Sequence, residues 1–359
     1  MKKIVIDLAR RGVGHYRRAT DRKARQVPRF GVGAPTATGP TVYYLAPDND
    51  RPSGGVRVIY RHVDLLGELG IRAAVVHEKA GFRCSWFANE TPVVTAAAVV
   101  PGRADVLVVP EWYGPAMGQV PREPRLVVFN QRAYDTFDSV PYDGTAPGAP
   151  YSEPHPVALL AVSDDNVELL RYAFPRIPVH LTRNVIDDRI FFPSSAPRRR
   201  LLSYVPHRRH AEREQLLHIL RSRGVLRGWD LTAISGRTEE ETAAIMRDSA
   251  VFLSLSEREG FGLPPAEAMA CGSYVVGYPG LAGREFLDPA YSAPVADGDL
   301  LALARAVEDA CATFDSDPAV PAKKGAEASR QVLSRYSADN LRADLTAFYG
   351  PLLPLRRVS

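Results

Sequence analysis

An α/β fold made of two doubly wound, Rossmann-like domains is predicted from three observations. The chain has 359 residues, too long for one ordinary core and suited to two domains of roughly 150 to 200 residues. Residues 41–78 read as strand, helix, strand, and residues 251–278 as strand, loop, helix, strand. Units of this kind build parallel sheets with helices on both faces. The composition, 45% hydrophobic and 24% charged, is that of a soluble globular protein. No apolar run approaches the roughly 20 residues of a membrane span, and the start MKKIVIDLARRG lacks a signal-peptide apolar region. Three scattered cysteines, Cys84, Cys271 and Cys311, show neither disulfide-framework nor zinc-ligand spacing, which points to a reducing, cytoplasmic setting.

Charge is unevenly spread. Residues 1–40 hold ten Lys and Arg against Asp7 and Asp21, a net +8, so the rest of the chain carries −4. This basic stretch has only Tyr16 and Phe30 as aromatics and trails into GVGAPTATGP, a linker composition. It reads as a flexible leader without nucleic-acid function; peripheral contact with an anionic membrane, at its inner face, is the other use open to it.

The first domain is expected at 41–182. TVYYLAP is a strand, DNDRPSGG a turn-rich loop, and VRVIYRHVDLLGELG a helix with Val58, Ile59, Val63, Leu66 and Leu69 at helical spacing, stopped by Gly70. IRAAVVHE is the next strand. ADVLVVPEWYG supplies a strand ending at Glu111, and RLVVFNQRAYDTF one ending at Asn130-Gln131. Ligands of open α/β sheets bind beyond the carboxyl ends of strands, which makes Glu111, Asn130, Gln131 and Tyr134 cleft candidates; their plainer use is to cap the loops that follow. Residues 138–156, rich in proline and glycine, read as a long surface loop. VALLAVSDDNVELLRYAF is a strand and a helix capped by Ser163 or Asp164.

The second domain is expected at 183–335, with a last helix at 336–359. LLSYVPHRRHAEREQLLHIL gives a strand, a basic turn and a helix, and WDLTAISGRTEEETAAIMRDSA gives a strand, a turn at Ser235-Gly236 and a helix. Then comes VFLSLSEREGFGLPPAEAMACGSYVVGYP. An apolar strand, Val251 to Leu255, leads into the loop Glu259-Gly260-Phe261-Gly262-Leu263, and a helix begins near Pro265, where a missing N–H costs nothing. Such a helix N-terminus, with its unpaired N–H groups and partial positive charge, suits a phosphate or diphosphate. Glu259 and Glu267 frame it with seven residues between them. Glu267, in the first turn, can accept hydrogen bonds from vicinal hydroxyls such as those of a ribose. Glu259, at the strand's exit, faces whatever the diphosphate carries. The bland alternative is a surface Glu and a Glu in a helix's first turn. ADGDLLALARAVEDACATF is a further amphipathic helix, capped by Asp297 or Asp299.

The string EGFGLPPAEAMACGSYVVGY resembles the donor-site signature of retaining glycosyltransferases of the GT-B fold, the glycogen-synthase-like family four, whose pattern is Glu, seven residues, Glu. It departs at Ser273-Tyr274, where Ala/Cys-Pro is common. The resemblance implies two Rossmann-like domains facing each other across a cleft, a hinge near Arg183, and a last helix returning to the first domain. It implies that Gly54-Gly55 lets backbone approach the donor's phosphates, that Ser235-Gly236 lies at the edge of the base, and that Glu285 is structural or loosely near the sugar. The family's usual Arg and Lys on the diphosphate match by place, not by residue, Arg208 and Arg209, with Arg213 nearby. A His usual near Asn130 or Gln131 is absent, and Gln131 there resembles a rhamnosyltransferase-like subgroup.

The function so implied is metal-independent transfer of a hexosyl or deoxyhexosyl group from a nucleoside-diphosphate sugar to an acceptor hydroxyl, with retention and no cofactor. Glu259 and Gln131 would be catalytic. Gly54, Gly55, Arg208, Arg209, Ser235, Gly236, Gly260 to Leu263 and Glu267 would hold the donor, and the acceptor would be a saccharide, a lipid-linked or a small molecule. Two alternatives stand beside it: a non-catalytic sugar-nucleotide binding protein of the same fold, and a metal-dependent GT-A transferase using Asp48 and Asp50 of the sequence Asp48-Asn49-Asp50.

Overall fold

The computed structural model describes residues 25–137, 151 and 156–353. The chain forms two parallel sheets. The first contains β1 (Val42–Leu45), β2 (Ala73–His77), β3 (Val93–Thr95), β4 (Val106–Pro110), β5 (Arg125–Asn130), β6 (Ala158–Ala161) and β7 (Val179–Leu181), in the order β3-β2-β1-β4-β5-β6-β7. Its helices include α1 (Gly54–Glu68) and α2 (Asp164–Ala173). The second contains β8 (Arg199–Tyr204), β9 (Asp230–Ala233), β10 (Ser249–Leu255), β11 (Tyr274–Tyr278) and β12 (Ala293–Pro294), in the order β12-β11-β10-β8-β9. It is flanked by α3 (His210–Ser222), α4 (Glu239–Asp248), α5 (Leu263–Ala270), α6 (Leu300–Ser316) and α7 (Ala319–Arg335). A final helix, α8, spans Ala338–Leu352. No described helix is long and apolar enough to cross a membrane.

Every neighbouring pair of strands is parallel. Strands covered on both faces read as continuous apolar runs, and all seven residues of β10 are buried. Strand order reverses between β1 and β4 in the first sheet and between β8 and β10 in the second. A doubly wound sheet opens a crevice at such a point, outside the strands' carboxyl ends. The loops leaving these four strands are therefore where a ligand site is to be sought.

The packed chain reaches back beyond Thr41, where the sequence placed its start. Val27 is buried against the first sheet, and the Gly31 N–H donates to the carbonyls of Ala96 and Val99. A linker-like composition does not stop a segment from docking an apolar side chain and satisfying its backbone. Residues 25–36 thus belong to the first domain, while 1–24, with most of the basic charge, lie outside the described residues. The proline-rich loop 138–156 also lies largely outside them; Tyr151 within it is buried and donates to Asn130 Oδ1 at 2.7 Å.

Helix ends follow capping chemistry. Ser163 Oγ accepts from the Asn166 N–H, Asp299 Oδ1 from the Ala302 N–H, and Thr238 with Glu241 forms a reciprocal capping box. Helix α8 packs on the first sheet's side: the Tyr349 hydroxyl lies 2.9 Å from that of Tyr44, and Arg183 pairs with Asp344. The Tyr44 hydroxyl is also 3.0 Å from Nδ1 of His62. Full burial pushes the His62 imidazole down to about 3, so it is neutral at physiological pH.

Candidate donor and acceptor site

The carboxyl ends of the two sheets face each other across a cavity of about 990 Å³. Its first wall comes from the loops after β1, β4 and β5, including Asp48, Gly54, Gly55, Glu111, Trp112 and Gln131. Its second wall comes from the turn after β8, with His207 and Arg208, and the loop after β10, with Ser256 and Glu259 to Pro265. Of the residues singled out in the sequence, Gly54, Gly55, Glu111, Gln131, Arg208, Glu259, Gly260, Phe261, Gly262 and Leu263 thus line one space.

The loop after β10 is tightly fixed. The Glu259 N–H donates to the Gly280 carbonyl, and Arg258 and Leu281 beside that contact both take positive φ, at 46° and 75°, unusual for residues with a Cβ. Glu259 projects to the cavity with its carboxylate 2.9 Å from Arg208 Nε. Gly262, at φ 95°, turns the chain into α5. That helix starts at Leu263, two residues before the expected Pro265. Its second and third positions are prolines, so it offers fewer N–H donors than an ordinary N-terminus. The N–H groups of Gly260, Phe261, Gly262 and Leu263 donate to no protein acceptor among the described residues and are the free donors of this terminus.

The opposite wall meets this loop closely. A Cβ at Gly260 would run into the Gln131 carbonyl and stand 3.0 Å from Arg132 Cα, while one at Gly54 would stand 2.8 Å from Leu263 Cδ1. At Gly260 the obstacle is backbone and requires glycine, whereas at Gly54 it is the end of the Leu263 side chain, which can shift. The α1 N-terminus, with Gly54 and Gly55, therefore points into the same space as the Gly260–Leu263 loop.

Glu111 is the most perturbed acid of the cavity. Its oxygens accept from the Gln131 N–H at 3.1 Å and the Arg132 N–H at 2.7 Å. Burial nonetheless pushes its carboxyl up to about 7, the two N–H donors opposing the rise.

Several expected site residues stand elsewhere. Asn130 is fully buried and turned into the first domain, its Oδ1 accepting from Thr136 and Tyr151; a satisfied amide inside a core is not a cleft group. Tyr134 lies under the Arg258 guanidinium at 5.3 Å, outside the cavity lining. Arg209 caps α3 in the left-handed conformation and donates to the Ser256 carbonyl, Glu212 and Asp297 over the Tyr278 ring. Those partners occupy its fork, and Arg209 does not line the cavity. Ser235 and Gly236 form an exposed turn away from the cavity. Glu267 is in the second turn of α5 and is held by Arg57 of the first domain at 2.8 Å, in a pocket of about 20 Å³ beside the cavity. Glu285 binds Arg335 and the Asp165 N–H, a structural use.

Sequence reasoning missed Arg57, His207 and Trp112. Position after a strand's carboxyl end could have found the last two; nothing local marks Arg57.

The GT-A alternative falls with the fold, since two doubly wound sheets face each other across the cleft. Asp48 is also spent locally, accepting from His77 Nδ1 and from the N–H groups of Glu78 and Lys79. The described residues contain no group of three or more His, Cys, Asp or Glu placed to hold a metal.

Comparison with known proteins agrees with this architecture. Residues 211–313 match the family described as glycosyl transferases group 1. An alpha-1,6-glucosyltransferase of Actinobacillus pleuropneumoniae is 30% identical over 120 residues, 33% of this chain and 36% of that protein. The chain thus matches about a third of that curated relative's length. Sucrose-phosphate synthase from Thermosynechococcus elongatus superposes with a TM-score of 0.62 at 13% identity, covering 87% of this chain and 98% of that one. Anabaena HepE, solved with UDP and glucose, gives 0.62 at 13%, covering 87% and 99%. At such identities the likeness establishes the fold, and the fold is GT-B.

Proposed function

We propose that this protein transfers a sugar from a nucleoside-diphosphate sugar to an acceptor hydroxyl, with retention of anomeric configuration and without a metal ion. The observation that carries this reading is the pairing of Glu259 with Arg208 at the cavity wall, beside four N–H groups free of protein acceptors and opposite the Gly54-Gly55 terminus of α1. Two helix N-termini and a guanidinium converging on one space suit a diphosphate leaving group, and stabilising that leaving group is the dominant electrostatic term of such a transfer. Support also comes from the group 1 match, which begins just after Arg208, and from the glucosyltransferase relative.

In this reading Arg208 exchanges its Glu259 contact for the diphosphate, to which the Gly260–Leu263 N–H groups also donate. Glu259 then contacts donor-sugar hydroxyls and steadies the positive charge that develops as the diphosphate departs. Gln131, on the facing wall, contacts the donor sugar or the incoming hydroxyl. Glu267 takes the ribose. The acceptor approaches from the first domain past Glu111, on the face the diphosphate leaves, and a phosphate oxygen takes its proton. Closing the two walls excludes water and limits donor hydrolysis.

The test is turnover of UDP-glucose, and of a panel of other nucleotide sugars, with a saccharide acceptor, with and without EDTA. The product's anomeric proton is read by NMR. Transfer unchanged by EDTA that yields the donor's own anomeric configuration supports the reading. Inverted product rejects retention, loss of activity in EDTA rejects metal independence, and nucleotide binding without turnover of any donor leaves a binding protein.

A further inference from the structure

Helix α1 carries two groups into the cleft at once. It begins with Gly54 and Gly55, and within the same first turn Arg57 crosses to the second domain. Arg57 Nη2 lies 2.8 Å from Glu267 Oε1, and its Nη1 is bonded to Glu239. Two carboxylates, from α5 and α4, thus hold both arms of one fork. The side chains are only 21%, 8% and 25% exposed for Arg57, Glu267 and Glu239, so solvent screens this contact far less than it screens a surface ion pair. A turn further along, Arg61 binds Asp187 at 2.8 Å, fastening the same helix to the segment that joins the domains. A helix moves as a rigid element. The Gly54-Gly55 terminus therefore cannot meet a ligand on the Gly260–Leu263 loop without bringing Arg57 to Glu267.

We propose that Arg57 is a positioning residue of the donor site: it acts through Glu267, setting that carboxylate for the vicinal hydroxyls of a nucleoside diphosphate and making domain closure part of nucleotide recognition. This rests on the reading of Glu267 as the ribose ligand. The planar guanidinium fixes one carboxylate oxygen in a charge-assisted hydrogen bond, which restricts rotation of the group and leaves its other oxygen available to a diol. Glu239, at the start of α4, holds the second arm and keeps the fork in plane. Lysine could supply the charge but not this two-armed geometry.

The experiment is a double-mutant cycle on UDP affinity by isothermal titration calorimetry, with melting temperatures recorded for every variant. Arg57→Ala and Glu267→Ala should each raise Kd about 10-fold, and the double variant should bind no worse than Glu267→Ala alone, because both changes remove one interaction. Arg57→Lys should recover only part of the loss. Glu239→Gln, which frees one arm without touching the nucleotide, should raise Kd about threefold. If Arg57→Ala does not fold, the cycle is run with Arg57→Lys and Glu239→Gln. Additive losses, an Arg57→Ala Kd within about twofold of wild type, or tighter binding by that variant would each overturn the proposal. If wild type binds neither UDP nor GDP nor dTDP, the donor-site reading itself falls and this inference falls with it. Binding by wild type that is indifferent to Arg57 sinks the Arg57 proposal alone.

Discussion

Gly260→Ala isolates the closeness of the two walls. Gly260 does not take a positive φ, so alanine introduces no backbone strain and only the new Cβ matters. That Cβ would stand 3.0 Å from Arg132 Cα and nearer still to the Gln131 carbonyl, where carbon atoms at van der Waals contact are about 3.5–4.0 Å apart. Both obstacles are backbone and cannot swing aside as a side chain would. The Gln131 carbonyl sets the shift, and the loops must part by more than about 1 Å. A misplacement of about 1 Å between reacting groups costs about 100-fold in rate. Two buried clusters belong to one sheet each, but a third joins both sheets and includes Phe261 beside the new Cβ, so the melting temperature should fall modestly. The assay is transfer at saturating donor and acceptor, beside UDP affinity and thermal melting. We expect kcat down about 100-fold, with Kd for UDP raised as well and Tm modestly lowered. A variant that transfers within about twofold of wild type would show that the contact between Gly260 and Gln131 is not used in turnover.

The neighbouring arginines should separate function from stability. Arg208→Ala should weaken UDP binding about 10-fold or more at nearly unchanged Tm, whereas Arg209→Ala should leave UDP binding near wild type and cost about 1 kcal/mol in urea unfolding by removing its bonds to the Ser256 carbonyl and Glu212; the reverse pattern would contradict the geometry of the turn after β8. Glu111, raised to about 7, holds a proton in the folded protein that the unfolded chain has already lost. Its contribution is therefore present below the unfolded value near 4.5 and is lost as pH rises to about 7, by up to about 3 kcal/mol. Glu111→Gln should flatten that fall in Tm between pH 5 and 7, and an identical slope in both proteins would show that Glu111 titrates normally.

The fold was legible because its strands carry their own signal. Val251 to Leu255 is apolar without alternation, as a strand buried on both faces must be, and Gly70 and Gly272 mark the ends of their helices. The cavity wall was legible in part because it follows from topology: Glu111, Gln131 and Glu259 all leave the carboxyl ends of strands. What sequence could not give was direction and distance. Asn130 and Gln131 are adjacent, yet the pleat turns one into a core, where Thr136 and Tyr151 satisfy it, and the other into the cleft. Arg208 and Arg209 are likewise adjacent, and a single left-handed residue sends the second to Asp297, 88 positions away. Arg57 meets Glu267 from 210 positions off, and such pairing depends on how two domains are set against each other, which no local pattern encodes. Val27 and Phe30 dock on the core of the first sheet from within a stretch whose overall composition argues for a flexible leader.

Helix α8 has a consequence for the order of synthesis. The first sheet is made early, but part of its surface, around Tyr44, His62 and His180, is covered by Tyr349 and Phe348 from the last described helix. A nascent first domain can form its strands as it leaves the ribosome, yet it waits for residues 338–352 before that face is sealed and the Tyr44 hydroxyl finds its second partner. Through that interval an apolar, half-satisfied surface stays open to other chains, the kind of surface on which partly made proteins aggregate. Pulse-labelled chains arrested just short of residue 338 should therefore be bound by a holdase chaperone, and those released past α8 should not.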